Sequence, residues 1–483
     1  MKLSQLLEGV EIKKLSAQLD IEVNGIAYDS RKVQPGNVFV AVSGFATDGN
    51  RFIPMALSKG AVAVVTAREP EGEVPCAVVA SDRLALAQMS ANFYHRPAEK
   101  MKLIGVTGTN GKTSVTLLLK HVVETLTGSC VGLVGTTGNM IGQELLPSER
   151  TTPESLELQQ LFAQMQDAGC GYAVMEVSSH ALALERVGGI HFAVAAFTNL
   201  TEDHLDFHKT MEQYCDTKAE LFARCDRAVI NSDDAWFEQI SAKAKAPVLT
   251  TSIHPGAGLY AENLELFAGG VRFVAVWGQQ RVPVMLPIPG KFTVYNALTV
   301  LGIALQLGLS LEATARALAT AKGVKGRVEV VPTPGQDYTV MIDFAHTPDG
   351  LQNVLSSVKG FCKGRLIAVF GCGGDRDPVK RPIMGKIGTD IADIAVITSD
   401  NPRTEDPSAI IRDVVSGVDA HKENYRIIEN RKEAIRYAMD IAKKDDIIVL
   451  AGKGHELYQE INGVKYHMDE REIVADILEE MRN

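Results

Sequence analysis

Short hydrophobic runs rich in β-branched residues alternate along the chain with longer segments in which hydrophobic residues recur every three or four positions. The longer segments have helical spacing, whereas the runs have the length and composition of buried strands. This alternation is typical of parallel β-sheets whose strands are connected by crossover helices, so the predicted fold class is α/β. Strands are predicted at residues 38–42, 61–65, 103–106, 172–177, 193–197, 228–230, 366–370, 392–397 and 446–450.

Two segments depart from this alternation. Residues 259–289 alternate hydrophobic and polar positions and end at a Pro-Ile-Pro-Gly sequence, which predicts antiparallel strands beside a central sheet. Residues 292–311 carry no charged side chain and are long enough to span a membrane. Because Asn296, Gln306 and two glycines interrupt this segment, we interpret it as a buried helix of a globular domain.

Length and composition indicate a globular protein with several domains. A chain of 483 residues is too long for one hydrophobic core, and 46% hydrophobic with 22% charged residues is an ordinary globular composition. A polar segment before residue 103 and a glycine- and proline-rich segment at 323–335 predict boundaries near residues 99 and 330. The predicted domains are therefore residues 1–98, 99–330 and 331–483.

Charge and cysteine usage narrow the class of partner. An excess of 59 acidic over 49 basic residues gives a net charge of −10, which argues against nucleic acid. The seven cysteines are scattered without a C-x-x-C pair, as expected in a reducing compartment. Since the N-terminal residues also lack the apolar run of a secretory signal, we expect a cytoplasmic protein that inserts into no membrane.

A glycine-rich segment follows the predicted strand 103–106 and precedes a predicted helix at 114–126. Its second half matches the G-K-[ST] end of a phosphate-binding loop, although Val106 stands where the usual motif has its first glycine. In such a loop, backbone amides surround the phosphates, the lysine reaches the terminal phosphates and the threonine hydroxyl ligates Mg²⁺. ATP is therefore predicted to bind at Gly108, Thr109, Asn110, Gly111, Lys112, Thr113 and Ser114.

The form of this loop, Thr-Gly-Thr-Asn-Gly-Lys-Thr at 107–113, resembles the Mur ligase and folylpolyglutamate synthase superfamily. The resemblance extends over residues 28–471 and implies three domains: an N-terminal domain for a UDP-sugar, a central P-loop ATPase with a parallel sheet, and a C-terminal doubly wound, Rossmann-like domain for an amino acid. The other motifs that carry it are Thr-Thr-Pro at 151–153, Met-Glu-Val-Ser-Ser-His at 175–180, Thr-Asn-Leu-Thr-Glu-Asp-His-Leu-Asp-Phe-His at 198–208, Gly-Arg at 326–327, Asp-Phe-Ala-His-Thr-Pro at 343–348, Gly-Cys-Gly-Gly-Asp-Arg-Asp at 371–377, Ser-Asp-Asn-Pro-Arg at 399–403 and Gly-Lys-Gly-His-Glu at 452–456.

The resemblance also implies roles for residues near the nucleotide. Lys218 lies in a sequence context typical of a surface lysine on a helix, but it matches a family lysine that reacts with CO₂. The resulting carbamate would be an anion able to hold Mg²⁺. The implied nucleotide contacts are Asn296, Arg327 and Asp343, the implied Mg²⁺ ligands are Thr113, Glu176, His204 and Lys218 as its carbamate, and the implied catalytic residues are Lys112, Lys218 and His204.

Two further groups of residues match substrate-binding positions of the family. Arg403 follows an Asp-Asn-Pro sequence, and a planar guanidinium can hold a carboxylate through two parallel hydrogen bonds. Such a contact would select meso-diaminopimelate over lysine, which lacks the second carboxylate. The implied contacts of a UDP-muramoyl dipeptide are Tyr28, Ser30, the segment 43–46, Thr151, Thr152, Ser178 and Arg186; those of diaminopimelate are Arg376, Asp400, Asn401, Pro402, Arg403, Gly452 and Glu456.

The function that the resemblance implies is an ATP-dependent ligase that joins meso-diaminopimelate to the UDP-muramoyl dipeptide through an acyl phosphate, in the synthesis of peptidoglycan precursors. Its partners would be small molecules, with no nucleic acid, and the chain is expected to be a monomer. Three alternatives remain open from the sequence. They are a folylpolyglutamate synthase, a lysine-adding ligase, and a nucleotide-binding switch that transfers no phosphate to a substrate.

Overall fold

The computed structural model describes residues 1–44, 47–148, 150–267, 269–323 and 325–482. The chain forms two compact units. The first comprises Met1–Thr251 and Thr299–Ser310, and the second comprises Ser252–Leu298 and Leu311–Asn483. The two units are described in turn.

The first unit begins with a five-stranded sheet of order β1-β5-β4-β3-β2, in which β2 to β5 are parallel and β1 is antiparallel to β5. Its core contains the hydrophobic residues of β3 to β5 and of the helix that follows them. The strands are β1 (Ile12–Leu15), β2 (Gly25–Ala27), β3 (Asn37–Ala41), β4 (Ala63–Thr66) and β5 (Cys76–Val79), and the helices are α1 (Leu3–Leu6), α2 (Ile53–Ser58) and α3 (Asp82–Phe93).

A larger sheet follows in the same unit, with the order β13-β12-β11-β6-β10-β7-β8-β9. The strands from β13 to β7 are parallel, whereas β8 and β9 are added antiparallel at one edge. The strands are β6 (Lys102–Thr107), β7 (Val131–Val134), β8 (Asn139–Ile141), β9 (Glu144–Leu146), β10 (Tyr172–Glu176), β11 (Val194–Phe197), β12 (Ala228–Asn231) and β13 (Val248–Ser252), and the helices are α4 (Lys112–Thr127), α5 (Ser155–Asp167), α6 (Ser179–Ala183), α7 (Leu205–His208), α8 (Met211–Ala219) and α9 (Phe237–Ala242).

The first strand of this sheet in chain order, β6, lies between β10 and β11. Later strands are added on both sides of it, so the loops after β6, β10 and β11 leave the sheet in neighbouring positions. In open parallel sheets, ligands bind beside the carboxyl ends of the strands where the order reverses. The topology therefore favours a binding site at the loop that follows β6.

The second unit opens with an antiparallel three-stranded meander formed by β14 (Leu259–Phe267), β15 (Gly270–Trp277) and β16 (Gln280–Leu286). The antiparallel strands predicted at residues 259–289 are thus confirmed. Helix α10 (Lys291–Gln306) then carries the chain back to the first unit, and α11 (Leu311–Leu318) follows in the second. The uncharged segment 292–311 is accordingly a buried helix and a turn, as predicted.

The rest of the second unit is a six-stranded sheet of order β17-β18-β22-β19-β20-β21, parallel except for β17. Helices cover both faces: α12, α13 and α14 line one hydrophobic core, and α15 and α16 line the other. The elements are β17 (Glu329–Val331), β18 (Thr339–Asp343), α12 (Pro348–Lys359), β19 (Leu366–Phe370), α13 (Lys380–Ile391), β20 (Ile394–Ile397), α14 (Pro407–Val415), β21 (Tyr425–Ile427), α15 (Arg431–Ile441), β22 (Ile447–Ala451), β23 (Tyr458–Ile461), β24 (Val464–His467) and α16 (Glu470–Arg482).

The α/β fold class is confirmed, and the bounds of the elements differ from the predicted ones by a few residues. Helix α4 begins at Lys112 rather than at 114, because Gly111 takes a left-handed conformation with φ +85° and ends the loop there. Strand β20 begins at Ile394 rather than at 392, since Ala392 still ends the preceding helix. Among the helices of the described residues, none is long and apolar enough to cross a lipid bilayer.

A buried ion pair connects the last two long helices to the sheet of the second unit. The Arg431 Nε atom lies 2.8 Å from Glu470 Oε1, and both side chains are at most 1% exposed. Arg431 Nη2 also donates to the carbonyl of Ala451 at the end of β22, at 2.9 Å. Burial raises the pKa of Glu470, and the Arg431 guanidinium opposes that shift. The pair thus joins α15, α16 and β22.

We expect Glu470→Ala to lower the free energy of unfolding by about 3 to 5 kcal/mol, because it leaves the Arg431 guanidinium buried without its counterion. Urea denaturation followed by circular dichroism measures the loss. The matched control is Lys432→Ala, which removes an exposed pair with Asp476 on the same two helices and costs about 0.5 kcal/mol or less. Equal losses in the two variants would contradict this account.

Candidate functional site

The loop after β6 has the geometry of a phosphate-binding site. Gly108 and Gly111 have φ of +145° and +85°, and no side chain caps the start of α4. The amide groups of an uncapped helix start, together with the helix dipole, attract anions. The Lys112 ammonium folds back on this loop and donates to the carbonyls of Gly108 at 2.9 Å and Thr109 at 2.8 Å.

Lys218 reaches the same loop from α8. Its Nζ atom donates to the Gly108 carbonyl at 2.9 Å, and the residue is 1% exposed. The expectation of a surface lysine, which rested on sequence context alone, is therefore wrong. Burial, and secondly the positive charge of Lys112, hold the pKa of Lys218 well below its usual value, so the neutral amine is favoured.

The loop after β11 supports the phosphate-binding loop through side chains. The Asn199 Oδ1 atom accepts the Asn110 amide hydrogen at 2.9 Å, and its Nδ2 atom donates to the Asn110 carbonyl at 3.1 Å. The Thr198 hydroxyl donates to the same carbonyl at 2.6 Å. A side chain at Gly108 would lie 2.0 Å from Thr198 Oγ1, so only glycine fits there.

Glu176 ends β10 and is buried beside the loop after β7. Its Oε1 atom accepts the Thr136 amide hydrogen at 2.9 Å, and its Oε2 atom accepts the Thr136 hydroxyl at 3.1 Å. The two hydroxyls of Thr136 and Thr151 lie 3.0 Å apart. Glu176 is therefore fixed between the carboxyl ends of two strands and is not a solvated strand-end residue.

Thr152, Ser178 and Arg186 form one connected group next to Glu176. The Thr152 hydroxyl donates to the Glu176 carbonyl at 2.8 Å and accepts the Ser178 amide hydrogen at 3.2 Å. Arg186 donates to the Thr152 carbonyl at 3.1 Å and pairs with Glu154 at 2.9 Å. The buried Nε atom of Arg186 has no hydrogen-bond partner in the described part of the chain. The structure thus brings these predicted dipeptide contacts together.

His204 lies beside the rings of His180 and Tyr214. Its backbone is left-handed, with φ +54°, and its half-exposed ring lies edge-on to the His180 ring at 4.9 Å. The rings of His204 and Tyr214 are 6.4 Å apart, and the Lys218 ammonium lies 4.6 Å from the Tyr214 ring. Within the described residues, no three or more His, Cys, Asp or Glu side chains lie together as a metal site.

The predicted UDP contacts lie in the five-stranded part of the first unit. The Tyr28 hydroxyl donates to Glu157 Oε1 on α5 at 2.7 Å, and burial raises the pKa of Tyr28. Ser30 is 6% exposed, and its hydroxyl is 3.5 Å from the Met55 sulfur. Of the predicted segment 43–46, residues 45 and 46 lie outside the described residues.

The predicted nucleotide contacts of the second unit lie on α10 and at the end of β18. Asn296 is a buried amide on α10. The Asp343 carboxylate accepts the amide hydrogens of Val328 and Ala345, each at 2.8 Å. Burial raises the pKa of Asp343, and Arg327 opposes that shift. The Arg327 guanidinium stacks on the Phe344 ring at 5.1 Å.

The predicted amino-acid contacts lie at the carboxyl ends of β19, β20 and β22. The Arg403 Nη1 atom donates to the Gly374 carbonyl at 2.7 Å, while its Nε atom lies 3.4 Å from Glu460. Asn401 Nδ2 donates to Glu456 Oε2 at 2.9 Å. The strand-end loops therefore converge around Arg403 and Asn401. Arg376 stays exposed, and among the described residues it donates to the neighbouring carbonyl of Asp375 at 3.0 Å.

Gly452 and Asp400 approach each other closely in this group. A side chain at Gly452, where φ is +121°, would lie 2.5 Å from Asp400 Oδ2. That oxygen is buried and has no hydrogen-bond partner among the described residues. Pro402, two residues after Asp400, is also buried. The Asp-Asn-Pro-Arg segment is consequently a packed part of the fold rather than a surface turn.

Sequence reasoning missed two supporting residues. Thr136 holds Glu176, and its signal was the polar Gly-Thr-Thr-Gly segment directly after a hydrophobic strand. Asn199 holds the phosphate-binding loop and lies in one of the superfamily motifs, but no role was predicted for it. Both act through contacts between neighbouring parallel strands, which local sequence patterns do not reveal.

Comparisons with known proteins agree with this arrangement. Sequence models of the Mur ligase family match residues 22–96 (Mur ligase family, catalytic domain), 106–304 (Mur ligase middle domain) and 326–454 (Mur ligase, glutamate ligase domain). The matched residues include the loop after β6, Glu176 at the end of β10 and the Asp-Asn-Pro-Arg segment after β20.

Two similar curated proteins and one similar solved structure share one name, UDP-N-acetylmuramoyl-L-alanyl-D-glutamate–2,6-diaminopimelate ligase. The protein from Clostridium botulinum is 46% identical over 487 residues, and ligase 1 from Clostridium acetobutylicum is 48% identical over 484; each comparison covers both chains completely. The solved structure is 34% identical with a TM-score of 0.77, covering 100% of this chain and 99% of its own. Identity at this level over the whole length shows that the chain belongs to the Mur ligase family.

Proposed function

We propose that this protein is an ATP-dependent ligase that joins meso-2,6-diaminopimelate to UDP-N-acetylmuramoyl-L-alanyl-D-glutamate through an acyl phosphate. The observation that carries the proposal is the uncapped start of α4, where Lys112 and Lys218 both donate to the Gly108 carbonyl beside the carboxyl ends of β6 and β10. The name shared by relatives at 46% and 48% identity supplies the substrates.

The nucleotide would be held by the backbone amides of residues 108–114, with Lys112 turning from its own loop to the terminal phosphates. The Thr113 hydroxyl, in the first turn of α4, would ligate Mg²⁺. In the second unit, Asn296, Arg327 and Asp343 are proposed nucleotide contacts. The buried carboxylate of Asp343 is suited to accept hydrogen bonds from a ribose, and Arg327 to hold a phosphate.

Glu176 suits a further Mg²⁺ position, because its buried carboxylate, fixed by Thr136, is a hard oxygen ligand at the strand end. His204 is proposed as another ligand. Bound there, Mg²⁺ would neutralise phosphate oxygens and so reduce the repulsion that an attacking carboxylate meets. The chain's own part is to keep Glu176 oriented and to present Lys112 at the same edge of the sheet.

Lys218 is proposed to carry a carbamate. Its neutral amine would attack the carbon of CO₂: the N–C bond forms as one C=O π bond opens, and a proton leaves to water, so that a neutral amine becomes an anion. The lowered pKa of Lys218 supports this step, because only the neutral amine is nucleophilic. The carbamate would also place a negative charge beside the Lys112 ammonium.

The acceptor would be oriented by Thr151, Thr152, Ser178 and Arg186, with Tyr28 and Ser30 on the UDP side. The D-glutamyl carboxylate attacks the γ-phosphorus of ATP; the new O–P bond forms as the bond to ADP breaks. An amine of diaminopimelate then attacks the activated carbonyl, expels phosphate and loses a proton. Exclusion of water matters here, because an acyl phosphate is readily hydrolysed.

Diaminopimelate would be recognised in the second unit. Arg403 is proposed to hold the carboxylate that lysine lacks, and Glu456 to accept hydrogen bonds from an ammonium group. Gly452 leaves room for close approach of the substrate to Asp400. Arg376, Asn401 and Pro402 complete the proposed set, with Arg376 supplying an exposed cation in the loop after β19.

The division into domains at residues 98 and 330 is part of the proposal, as are action on small molecules in the cytoplasm and a monomeric state. A folylpolyglutamate synthase would use a folate as acceptor, so exchanging acceptors in one assay separates the two functions. A nucleotide-binding switch would release phosphate without regard to either substrate.

Lys112→Ala is expected to reduce phosphate release in the presence of ATP, the UDP-muramoyl dipeptide and diaminopimelate by about 100-fold or more, because the charge at the terminal phosphates is lost. A coupled phosphate assay measures the rate. Lys102→Ala, at the exposed start of the same strand, serves as the control with wild-type turnover. Normal turnover by Lys112→Ala would remove the loop from the mechanism.

Lys218 is expected to give a carbamate resonance in a carbon-13 NMR spectrum of protein equilibrated with labelled bicarbonate. Because the pKa of Lys218 is lowered, the signal should already be present near pH 8 and should weaken as the pH falls and the amine is protonated. Lys218→Ala should lack the resonance and most of the activity, and Lys112→Ala should retain the resonance. A wild-type spectrum without the signal at pH 8 would argue against the carbamate.

Arg403→Ala is expected to lower the preference for meso-diaminopimelate over L-lysine by about 100-fold, since the variant cannot pair the second carboxylate. The ratio of kcat/KM for the two amino acids measures this preference. Arg412→Ala, which removes an exposed arginine of α14, is the matched control. An unchanged ratio in Arg403→Ala would exclude the guanidinium from substrate selection.

A further inference from the structure

Lys453 is a fully buried cation in the loop after β22. Its side chain is 0% exposed, so it cannot itself contact a substrate. The Nζ atom donates to Asn401 Oδ1 at 2.7 Å and lies 3.1 Å from Glu456 Oε2. Asn401 and Glu456 are both proposed contacts of the amino acid, whereas Lys453 has no role in the proposed function. Its position between them calls for a physical explanation.

Lys453 fixes the orientation of the Asn401 amide. Asn401 Oδ1 accepts hydrogen bonds from Lys453 Nζ and from the Glu460 amide at 2.9 Å, while Nδ2 donates to Glu456 Oε2 at 2.9 Å. Rotating the amide by 180° would place its NH₂ group against the ammonium and its oxygen against the carboxylate. Only one of the two orientations is therefore compatible with these neighbours.

Lys453 also fixes the Glu456 carboxylate. The hydrogen bonds from Lys453 and Asn401 both fall on Oε2, and Oε1 has no hydrogen-bond partner within the residues that the structure describes. The Glu456 side chain remains 19% exposed, so a small molecule can reach it. One oxygen is thus anchored by the protein, and the other is available to a donor.

The burial of Lys453 is costly unless its charge is matched, because an unpaired ammonium loses its hydration in the interior. The Glu456 carboxylate supplies the match, and the Tyr458 ring lies 5.3 Å from the ammonium. Gly452 and Gly454 flank Lys453 with φ of +121° and +56°, which lets the loop follow the sheet closely. The backbone is therefore shaped to bring this lysine inside.

We propose that Lys453 is a positioning residue for the amino-acid substrate: it orients the Asn401 amide and anchors one oxygen of Glu456, so that the other oxygen accepts a hydrogen bond from the ammonium group of diaminopimelate. This inference rests on the proposed function of the same site. It adds Lys453 as the residue that fixes the positions of Asn401 and Glu456 relative to each other. It also explains why this ammonium group is fully buried.

The test compares Lys453→Met and Lys453→Gln with the wild-type protein in the phosphate assay. Both variants should raise the KM for diaminopimelate about 10- to 100-fold, because the anchored carboxylate and amide lose a buried partner. The KM values for ATP and the UDP-muramoyl dipeptide should stay within about twofold, and kcat within about threefold. Lys453→Gln keeps a donor near Asn401 and carries the test if Lys453→Met does not fold.

A double variant examines whether Lys453 acts through Glu456. In a Glu456→Gln background, Lys453→Gln should add less than about threefold to the KM for diaminopimelate, since neighbours that act together are not additive. Lys386→Met, which removes an exposed lysine of α13, is the control for a lysine change in the same unit.

Three results would overturn the inference. The first is an unchanged KM for diaminopimelate in both variants, and the second is an equal rise in the KM of all three substrates. The third is a double variant whose KM for diaminopimelate rises by the product of the effects of the two single changes. A wild-type protein that releases no phosphate in response to diaminopimelate would overturn the proposed function and this inference together. An active wild-type protein with any of the three results overturns the inference alone.

Discussion

The side-chain nitrogens of Lys112 and Lys218 both donate to a single carbonyl oxygen, that of Gly108, and the phosphate-binding loop of the first unit depends on this arrangement. Lys112 and Lys218 each lie 2.9 Å from that oxygen, next to the uncapped start of α4. Burial, and secondly the charge of Lys112, lower the pKa of Lys218, and among the described residues no carboxylate forms an ion pair with its Nζ atom. The uncapped helix start and the Lys112 ammonium favour an anion at this loop, and the proposed phosphates and carbamate would supply it.

The second unit contains two buried cations that are paired with carboxylates. Arg431 pairs with Glu470, and Lys453 pairs with Glu456, all close to β22. Asp400 Oδ2 is left buried without a partner among the described residues, next to Gly452. Excess oxygen acceptors at this edge suit an amino acid that brings ammonium groups, while Arg403 adds the cation that a second carboxylate needs.

Much of this architecture could be predicted from the sequence because β-branched runs and helical spacing are local signals. The burial of Lys218 was not predicted, because the polar residues around it suggested a surface position, although Lys218 lies four residues after Tyr214 on the buried face of α8. The roles of Thr136 and Lys453 could not be predicted from the local sequence. Lys453 meets Asn401 across 52 residues of sequence, and this contact exists only because β20 and β22 belong to one sheet.

Arg403 is held in place through both its backbone and its side chain. Its backbone is left-handed, with φ +52°, a conformation that costs of order 1 kcal/mol or more for a residue with a side chain. Two backbone hydrogen bonds hold it there: its amide donates to the Glu460 carbonyl at 3.0 Å, and its carbonyl accepts the Asn462 amide hydrogen at 2.7 Å. With the backbone pinned to β23 and Nη1 held by Gly374, the guanidinium has little freedom left to lose when it binds a carboxylate. In the proposed function, this fixed and strained backbone would hold in advance the guanidinium that distinguishes a second carboxylate from its absence.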